Sequence, residues 1–381
     1  MVAMVNKIIY LDNASTTKVN PEVLNTYNKC KELYFGNASS IHLLGQEASR
    51  LLEKARNQIL NTLGLSDHEL IFTSGATEGN NLAIKGYCLK FQNRGKHIIV
   101  SNAEHASVLE VVKQLETYFG FEVTYLPVNS KGVIEIETLK AAIRKDTILV
   151  SIMAVNNEIG SINPIHEIAE VLKKYPLIAF HVDATQAFGK IKIPYQDIDM
   201  FTFSGHKIHC LNSSGALIKR KKIELLPLFS GGGQENNFRS GTLDVAMDVS
   251  LAKGIRLIFS QIDDNYNAIK PLADTLLTYL KNNPTLYEIN SNEDNPYIVN
   301  FSLLTKKASV IVESLSNQHI MVSSTSACHA HEEPMSYVVK AIGKSDLLSH
   351  NTIRVSFSNE NTIDDVNTFT GILDKTVKEL K

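Results

Sequence analysis

A chain of 381 residues is long enough for two domains with separate cores, and its 38 basic and 40 acidic side chains leave it near neutrality. That balance predicts neither nucleic acid nor a membrane surface as an obligatory partner. The opening Met1-Val2-Ala3-Met4-Val5-Asn6-Lys7 is too short for a signal peptide, and no apolar run reaches bilayer length. Cys30, Cys88, Cys210 and Cys328 show neither metal-ligand spacing nor a disulfide framework, so a cytoplasmic protein with reduced thiols is expected.

In chain order, residues 8–11 read as an N-terminal strand. Residues 46–63 carry a helical stripe (Ala48, Leu51, Leu52, Ala55, Ile59, Leu63) closed by Gly64. Short apolar runs follow at 69–73, 97–101, 122–126 and 147–153, separated by segments of helical period. Two more, Leu177-Ile178-Ala179-Phe180-His181-Val182 and Met200-Phe201-Thr202-Phe203, lead into Asp183 and towards Lys207. This alternation argues for an α/β fold, a mostly parallel sheet covered by helices on both faces. Beyond about residue 258 long helical stretches take over, with strand-like runs at 298–303 and 352–357. The expected division is a large domain over residues 15–258 and a smaller α+β domain from residues 1–14 and 259–381.

Open α/β sheets bind ligands at the carboxyl ends of their strands, and there the chain places its chemistry. Asp183 and Lys207 follow neighbouring strands; pyridoxal phosphate needs such a pair, a lysine for a Schiff base and a carboxylate to hold the pyridine nitrogen protonated. Burial and nearby positive charge would promote the neutral lysine that this chemistry requires. Ser74-Gly75-Ala76-Thr77-Glu78 turns from a strand into a helix, whose free N–H groups and dipole suit an anion. His105 could stack on a flat cofactor, and Asn156-Asn157 could bond a ring substituent. Singly these are a solvated loop charge, an N-capped turn and a structural histidine; four strand ends together are harder to dismiss. Cys328 lies in Val322-Ser323-Ser324-Thr325-Ser326-Ala327-Cys328-His329-Ala330-His331, a polar stretch without helical or strand period. A cysteine there is expected to be accessible, on a mobile loop, with histidines that favour its thiolate.

These segments carry a family resemblance. Tyr10-Leu11-Asp12-Asn13-Ala14, Phe35-Gly36-Asn37-Ala38-Ser39-Ser40-Ile41-His42, Thr73-Ser74-Gly75-Ala76-Thr77-Glu78, Val155-Asn156-Asn157-Glu158-Ile159-Gly160, His181-Val182-Asp183-Ala184-Thr185-Gln186, Ser204-Gly205-His206-Lys207, Arg239-Ser240-Gly241-Thr242 and Ser326-Ala327-Cys328 run in order across nearly the whole chain. The chain resembles the cysteine desulfurases of the class V aminotransferase group, within the fold-type I pyridoxal phosphate enzymes. The resemblance implies a seven-stranded, mostly parallel sheet and a homodimer.

It also implies roles. Lys207 would anchor the cofactor and move protons, Asp183 would pair with the pyridinium nitrogen, and Gln186 would bond the ring oxygen. His105 would stack on the ring and act as an acid–base group, while Asn157 would assist at the ring or substrate. Ala76, Thr77, Ser204 and His206 would hold the phosphate, joined by Thr242 from the partner subunit. Arg354 would clamp the substrate carboxylate; read without the family, it is a strand arginine in a surface ion pair. L-cysteine would give L-alanine and a persulfide on Cys328, passed to an iron–sulfur scaffold or a tRNA-thiolating enzyme. No resident metal is implied, although Cys328 could transiently ligate an iron–sulfur cluster. Two departures stand out. Where the family has a turn like Tyr-Gly-Pro-Lys-Gly, this chain has Ile208-His209-Cys210-Leu211-Asn212-Ser213-Ser214, and His329, His331, Glu332 and Glu333 follow Cys328. The alternatives are a selenocysteine lyase or other β-eliminating enzyme of this cofactor, an aminotransferase of the same fold, or a weakly active paralogue serving as a sulfur-relay scaffold.

Overall fold

The apolar runs of the first two-thirds of the chain assemble into one sheet in the computed structural model, which describes residues 7–324 and 335–379. The strands are β1 (Ile9–Tyr10), β2 (His68–Thr73), β3 (His97–Ser101), β4 (Glu122–Leu126), β5 (Thr147–Ser151), β6 (Ala179–Asp183), β7 (Met200–Ser204), β8 (Gly215–Arg220), β9 (Tyr287–Ile289), β10 (Ile298–Leu303), β11 (Ile320–Met321), β12 (Ser323–Ser324) and β13 (Thr352–Ser356). Seven of them form a sheet in the order β2-β8-β7-β6-β5-β3-β4, in which only β8 runs antiparallel to its neighbours. β3, β5, β6 and β7 are buried along their whole length. They therefore read as continuous apolar runs rather than alternating ones.

The first four helices are α1 (Pro21–Leu33), α2 (Leu43–Thr62), α3 (Ala76–Phe91) and α4 (Ala106–Phe119), of which α2, α3 and α4 pack against this sheet. α2 begins three residues before the expected stripe because His42 caps it, its side chain accepting the Gly45 N–H. Histidine is an uncommon cap, so the signal was weak in the sequence. Behind β6 and β7, Phe188 stacks on Phe203 with ring centroids 3.8 Å apart, and Tyr195, Phe201 and Phe259 close the cluster. Burying each such side chain stabilises by about 1.5–3 kcal/mol and makes the strand ends stiff supports.

The C-terminal third forms a second sheet, β12-β13-β10-β9, antiparallel throughout, and β1 pairs with β11. A parallel bridge from Asp12 to Ser356 brings the N-terminal segment against β13. Among the described residues no helix is long and apolar enough to cross a membrane, and no group of His, Cys, Asp and Glu is arranged to hold a metal ion.

Candidate active site

β6 and β7 are adjacent and parallel, so Asp183 at the end of one and Lys207 just past the other share a sheet edge. Asp183 is buried and both its oxygens accept: Oδ1 from Thr185 N–H (2.9 Å) and Oδ2 from Asn80 Nδ2 (2.8 Å). The half-buried Lys207 sends Nζ to the carbonyls of Ala14 (2.7 Å) and Ser15 (2.6 Å), on the chain leaving β1.

A cavity of about 450 Å³ opens at this edge. Ala76, Thr77, His105, Asn157, Asp183, Gln186, Ser204, His206, Lys207 and Arg354 all line it, so residues spread over most of the chain meet in one place. The anion site predicted at the start of α3 is built on Gly75, whose φ of +143° suits only glycine and whose Cβ would stand 3.1 Å from Ser204 Oγ. Gly215 is needed for a related reason: a Cβ there would lie 2.7 Å from Gly75 Cα and 2.5 Å from the Phe203 carbonyl. Ala76 N–H donates to Ser204 Oγ (2.7 Å), leaving the N–H groups of Thr77 and Glu78 without intrahelical partners. His206 is half-buried and its pKa is pushed down to about 4, first by burial and then by Lys207 and Lys190. At neutral pH it therefore offers a hydrogen bond rather than a charge.

Arg354 differs from the family-blind expectation of a surface ion pair. β13 carries it inside, where Nη2 bonds Asp12 Oδ1 (2.9 Å) and Ser15 Oγ (2.6 Å) and Nη1 bonds the Asn157 carbonyl (2.9 Å). Nε is buried without a partner among the described residues, as are Asn157 Oδ1 and Thr185 Oγ1. Buried polar groups are rarely left unpaired, and three on one cavity wall mark a place for a polar ligand. Asn156 and Asn157, equivalent in sequence, separate here. Asn156 braces the loop through Ala103 O, Glu158 N and Ile159 N, while Asn157 faces the cavity. Gln186 is engaged by protein at both ends, its Nε2 on Ala14 O (2.9 Å) and its Oε1 on Lys190 Nζ (3.0 Å).

Several site residues escaped the sequence reading. Lys190 is buried without a carboxylate partner among the described residues, and burial, with Lys207 and Arg354, brings its pKa down to about 7. Glu158 lines the cavity with its pKa pushed up to about 7, by burial against the opposing pulls of Ser336 and Arg354. Glu104, next to His105, is raised further, to about 8, chiefly by burial. Their signal was only a charged residue beside a motif, which sequence alone cannot tell from a solvated one.

Cys328 lies outside the described residues, but Ser323, Ser324 and Met335, on either side of that segment, line the cavity. Cys30, Cys88 and Cys210 are buried free thiols whose pKa values burial raises. Thr242 is exposed and away from the cavity, just beyond Arg239, which pairs with Glu78 at 2.8 Å.

Known proteins share this chain's sequence and shape. Cysteine desulfurase IscS of Dictyoglomus turgidum is 38% identical over 377 residues, covering 98% of this chain and 95% of that one. A solved structure described as a NifS-like protein superposes with a TM-score of 0.91 at 32% identity, covering 98% of this chain and all of its own. Another, of SspA in complex with cysteine, gives 0.79 at 33% identity over 91% of this chain and 98% of its own. A family model described as aminotransferase class-V matches residues 9–369. With the strand-end acid and lysine, the lined cavity and a match over nearly the whole chain, the protein belongs to the aminotransferase class-V family.

Proposed function

We infer that the protein is a cysteine desulfurase that uses pyridoxal phosphate, converting L-cysteine to L-alanine and receiving the sulfur on Cys328. The observation that carries this reading is the convergence of Asp183, Lys207, His105 and Arg354 on one cavity, in a chain whose relatives are named cysteine desulfurases.

The residues fit the cofactor. Asp183 supplies an acceptor for a pyridinium N–H, the α3 start with Thr77, Ser204 and His206 supplies donors for a phosphate, and His105 supplies a ring to stack. Thr185 Oγ1 and Asn157 Oδ1, without partners among the described residues, suit polar groups of a ligand. When bound, pyridoxal phosphate supplies an electron sink for the carbanion at the substrate's Cα. Lys207 Nζ is the covalent anchor and the amine that moves the Cα proton. Arg354 Nε, without a partner among the described residues, is a donor suited to the substrate carboxylate, while Asp12, Ser15 and Asn157 orient the guanidinium. Overall, L-cysteine plus the Cys328 thiol gives L-alanine plus a Cys328 persulfide, so atoms and electrons balance. Ser323, Ser324 and Met335, which flank the segment carrying Cys328, line the cavity and so support delivery of Cys328 to the substrate sulfur.

Leu33, Phe35, Ile41 and Leu43 form an exposed apolar stretch between α1 and α2, with Phe35 72% and Ile41 92% accessible. A second copy of this chain would cover it, and Thr242 would then reach the partner's phosphate. Within each subunit, residues 15–258 act as the cofactor-holding domain and residues 1–14 with 259–381 as the one carrying Cys328. The persulfide would pass to an acceptor protein in the cytoplasm, an iron–sulfur scaffold or a tRNA-thiolating enzyme.

The test is a comparison of wild type, Lys207→Ala and Cys328→Ala. Visible spectra report cofactor attachment, and alanine and sulfide are assayed after adding L-cysteine with reductant. A yellow wild type, a spectrum changed only in Lys207→Ala and product lost in both variants are expected. Equal sulfide release by Cys328→Ala and wild type would overturn the persulfide assignment.

A further inference from the structure

Asn80 touches no cavity surface and has no part in the roles above, yet it is fully buried on α3 between three elements of the site. Thr202 Oγ1, from β7, donates to Asn80 Oδ1. Asn80 Nδ2 donates to Asp183 Oδ2 and to Ser107 Oγ, each at 2.8 Å. Turning the amide over would set its oxygen against the Asp183 carboxylate, which only accepts, so the orientation is determined.

The consequence passes along a chain of donors. Both Nδ2 hydrogens are used, so Ser107 Oγ is an acceptor towards Asn80 and has one proton of its own to give. Its remaining neighbour is His105 Nδ1, 2.8 Å away. The same nitrogen also caps α4, accepting the Ser107 backbone N–H at 3.1 Å. A ring nitrogen that receives two donors carries no proton, so the proton of a neutral His105 sits on Nε2, the atom left for the cavity. Burial lowers the pKa of His105, and the nearby Lys207 adds to that while Asp183 opposes it, so the neutral ring is favoured.

We propose that Asn80 and Ser107 are positioning residues that transmit the acceptor character of Asp183 to His105 and hold it as the neutral Nε2–H tautomer. His105 is then a hydrogen-bond donor to charge developing on the substrate, and Lys207 is the group that moves protons. A neutral imidazole in this state lacks the free Nε2 lone pair that a base needs. The inference deepens the assignment of this cavity as the cofactor and substrate site, and rests on it.

The experiment is 15N NMR of histidine-labelled holoenzyme at neutral pH, with His105 assigned by the signals lost in His105→Gln. Wild type is expected to show an unprotonated-type Nδ1 and a protonated-type Nε2. In Ser107→Ala the tautomer ratio should move towards Nδ1–H by roughly fivefold, the size expected for loss of one hydrogen bond. Asn80→Ala, which frees the Ser107 hydroxyl to turn, should move it the same way. A protonated Nδ1 in wild type overturns the proposal whether or not the variants fold, as does an unchanged ratio in folded Ser107→Ala. The spectra are read without turnover, so absence of sulfide release would sink the functional reading and leave the tautomer result standing.

Discussion

Glu104 shows how much of this site's electrostatics is set by enclosure. One carboxyl oxygen accepts from Ser101 Oγ (2.6 Å) and Met153 N–H (2.9 Å), and the other has no partner among the described residues. Burial, with Asp183 nearby, moves its pKa from 4.5 to about 8, against the pull of those two donors. The folded chain thus keeps a proton that the unfolded chain releases at its ordinary pKa. Between those two values the folded state binds more protons, so this group's contribution to stability falls as pH rises from 4.5 to about 8. Glu104→Gln removes the titration. Its thermal midpoint relative to wild type should rise steadily across that window, an effect on the order of a few kcal/mol; parallel pH curves for the two proteins would refute the buried protonated acid. Residues like this were illegible in sequence, because Glu104 looks like any loop acid until three elements close around it. Asn156 and Asn157 were only half legible: an amide at the strand end was readable, but which of the two faces the cavity depends on backbone direction.

At the scale of elements, the turn after Lys207 is one of the two places where this chain departs from the pattern it resembles. His209 and Ser213 adopt left-handed conformations, with φ of 61° and 59°. His209 is compensated: its N–H donates to Thr17 Oγ1 (2.7 Å), Nδ1 bonds Lys18 O (2.9 Å), and its carbonyl accepts from Asn20 N–H (2.9 Å). The turn thus keeps a left-handed course without glycine, tied to the segment that also supplies the carbonyls around Lys207. Ser213 is exposed, and its side chain has no such anchoring among the described residues. A non-glycine residue in this region costs about 1–2 kcal/mol, part of which glycine gives back in unfolded-chain entropy. Ser213→Gly should therefore stabilise by about 0.5–1 kcal/mol, read as a higher thermal midpoint with the visible spectrum unchanged; a lower midpoint would show that the serine is doing something else. The strands themselves were highly legible. The apolar run at 147–153 outlasts β5, which ends at Ser151; beyond it the chain stays tied to β6 by Ile152 N–H to His181 O (3.1 Å) and Ala154 N–H to Asp183 O (2.9 Å).

For the whole molecule, the proposed dimer makes a prediction that no single chain can satisfy. If Thr242 completes the partner's phosphate site, a mixed dimer of Lys207→Ala and Thr242→Asp subunits contains one site with both defects and one with neither. Co-expression should restore sulfide release that neither variant shows alone. Failure to restore it in a verified mixed dimer would place Thr242's role within its own subunit. The apolar stretch from Leu33 to Leu43 gives a companion expectation: Ile41→Glu should shift the protein to a monomer in sedimentation and lower its cofactor content.

By itself, the sequence determined the alternation of strand and helix, the strand ends that carry chemistry and the family to which the chain belongs. Those properties are local: hydrophobic period, turn glycines and ordered motifs are written in neighbouring residues. Tertiary structure alone decided which residues meet. It buried Arg354 against Asp12, left Nε and Asn157 Oδ1 without partners among the described residues, and linked Asp183 through Asn80 and Ser107 to His105. Desolvation and hydrogen-bond exchange depend on groups far apart in the chain, so the protonation states that suit this cavity to its chemistry exist only once the sheet edge has closed around them.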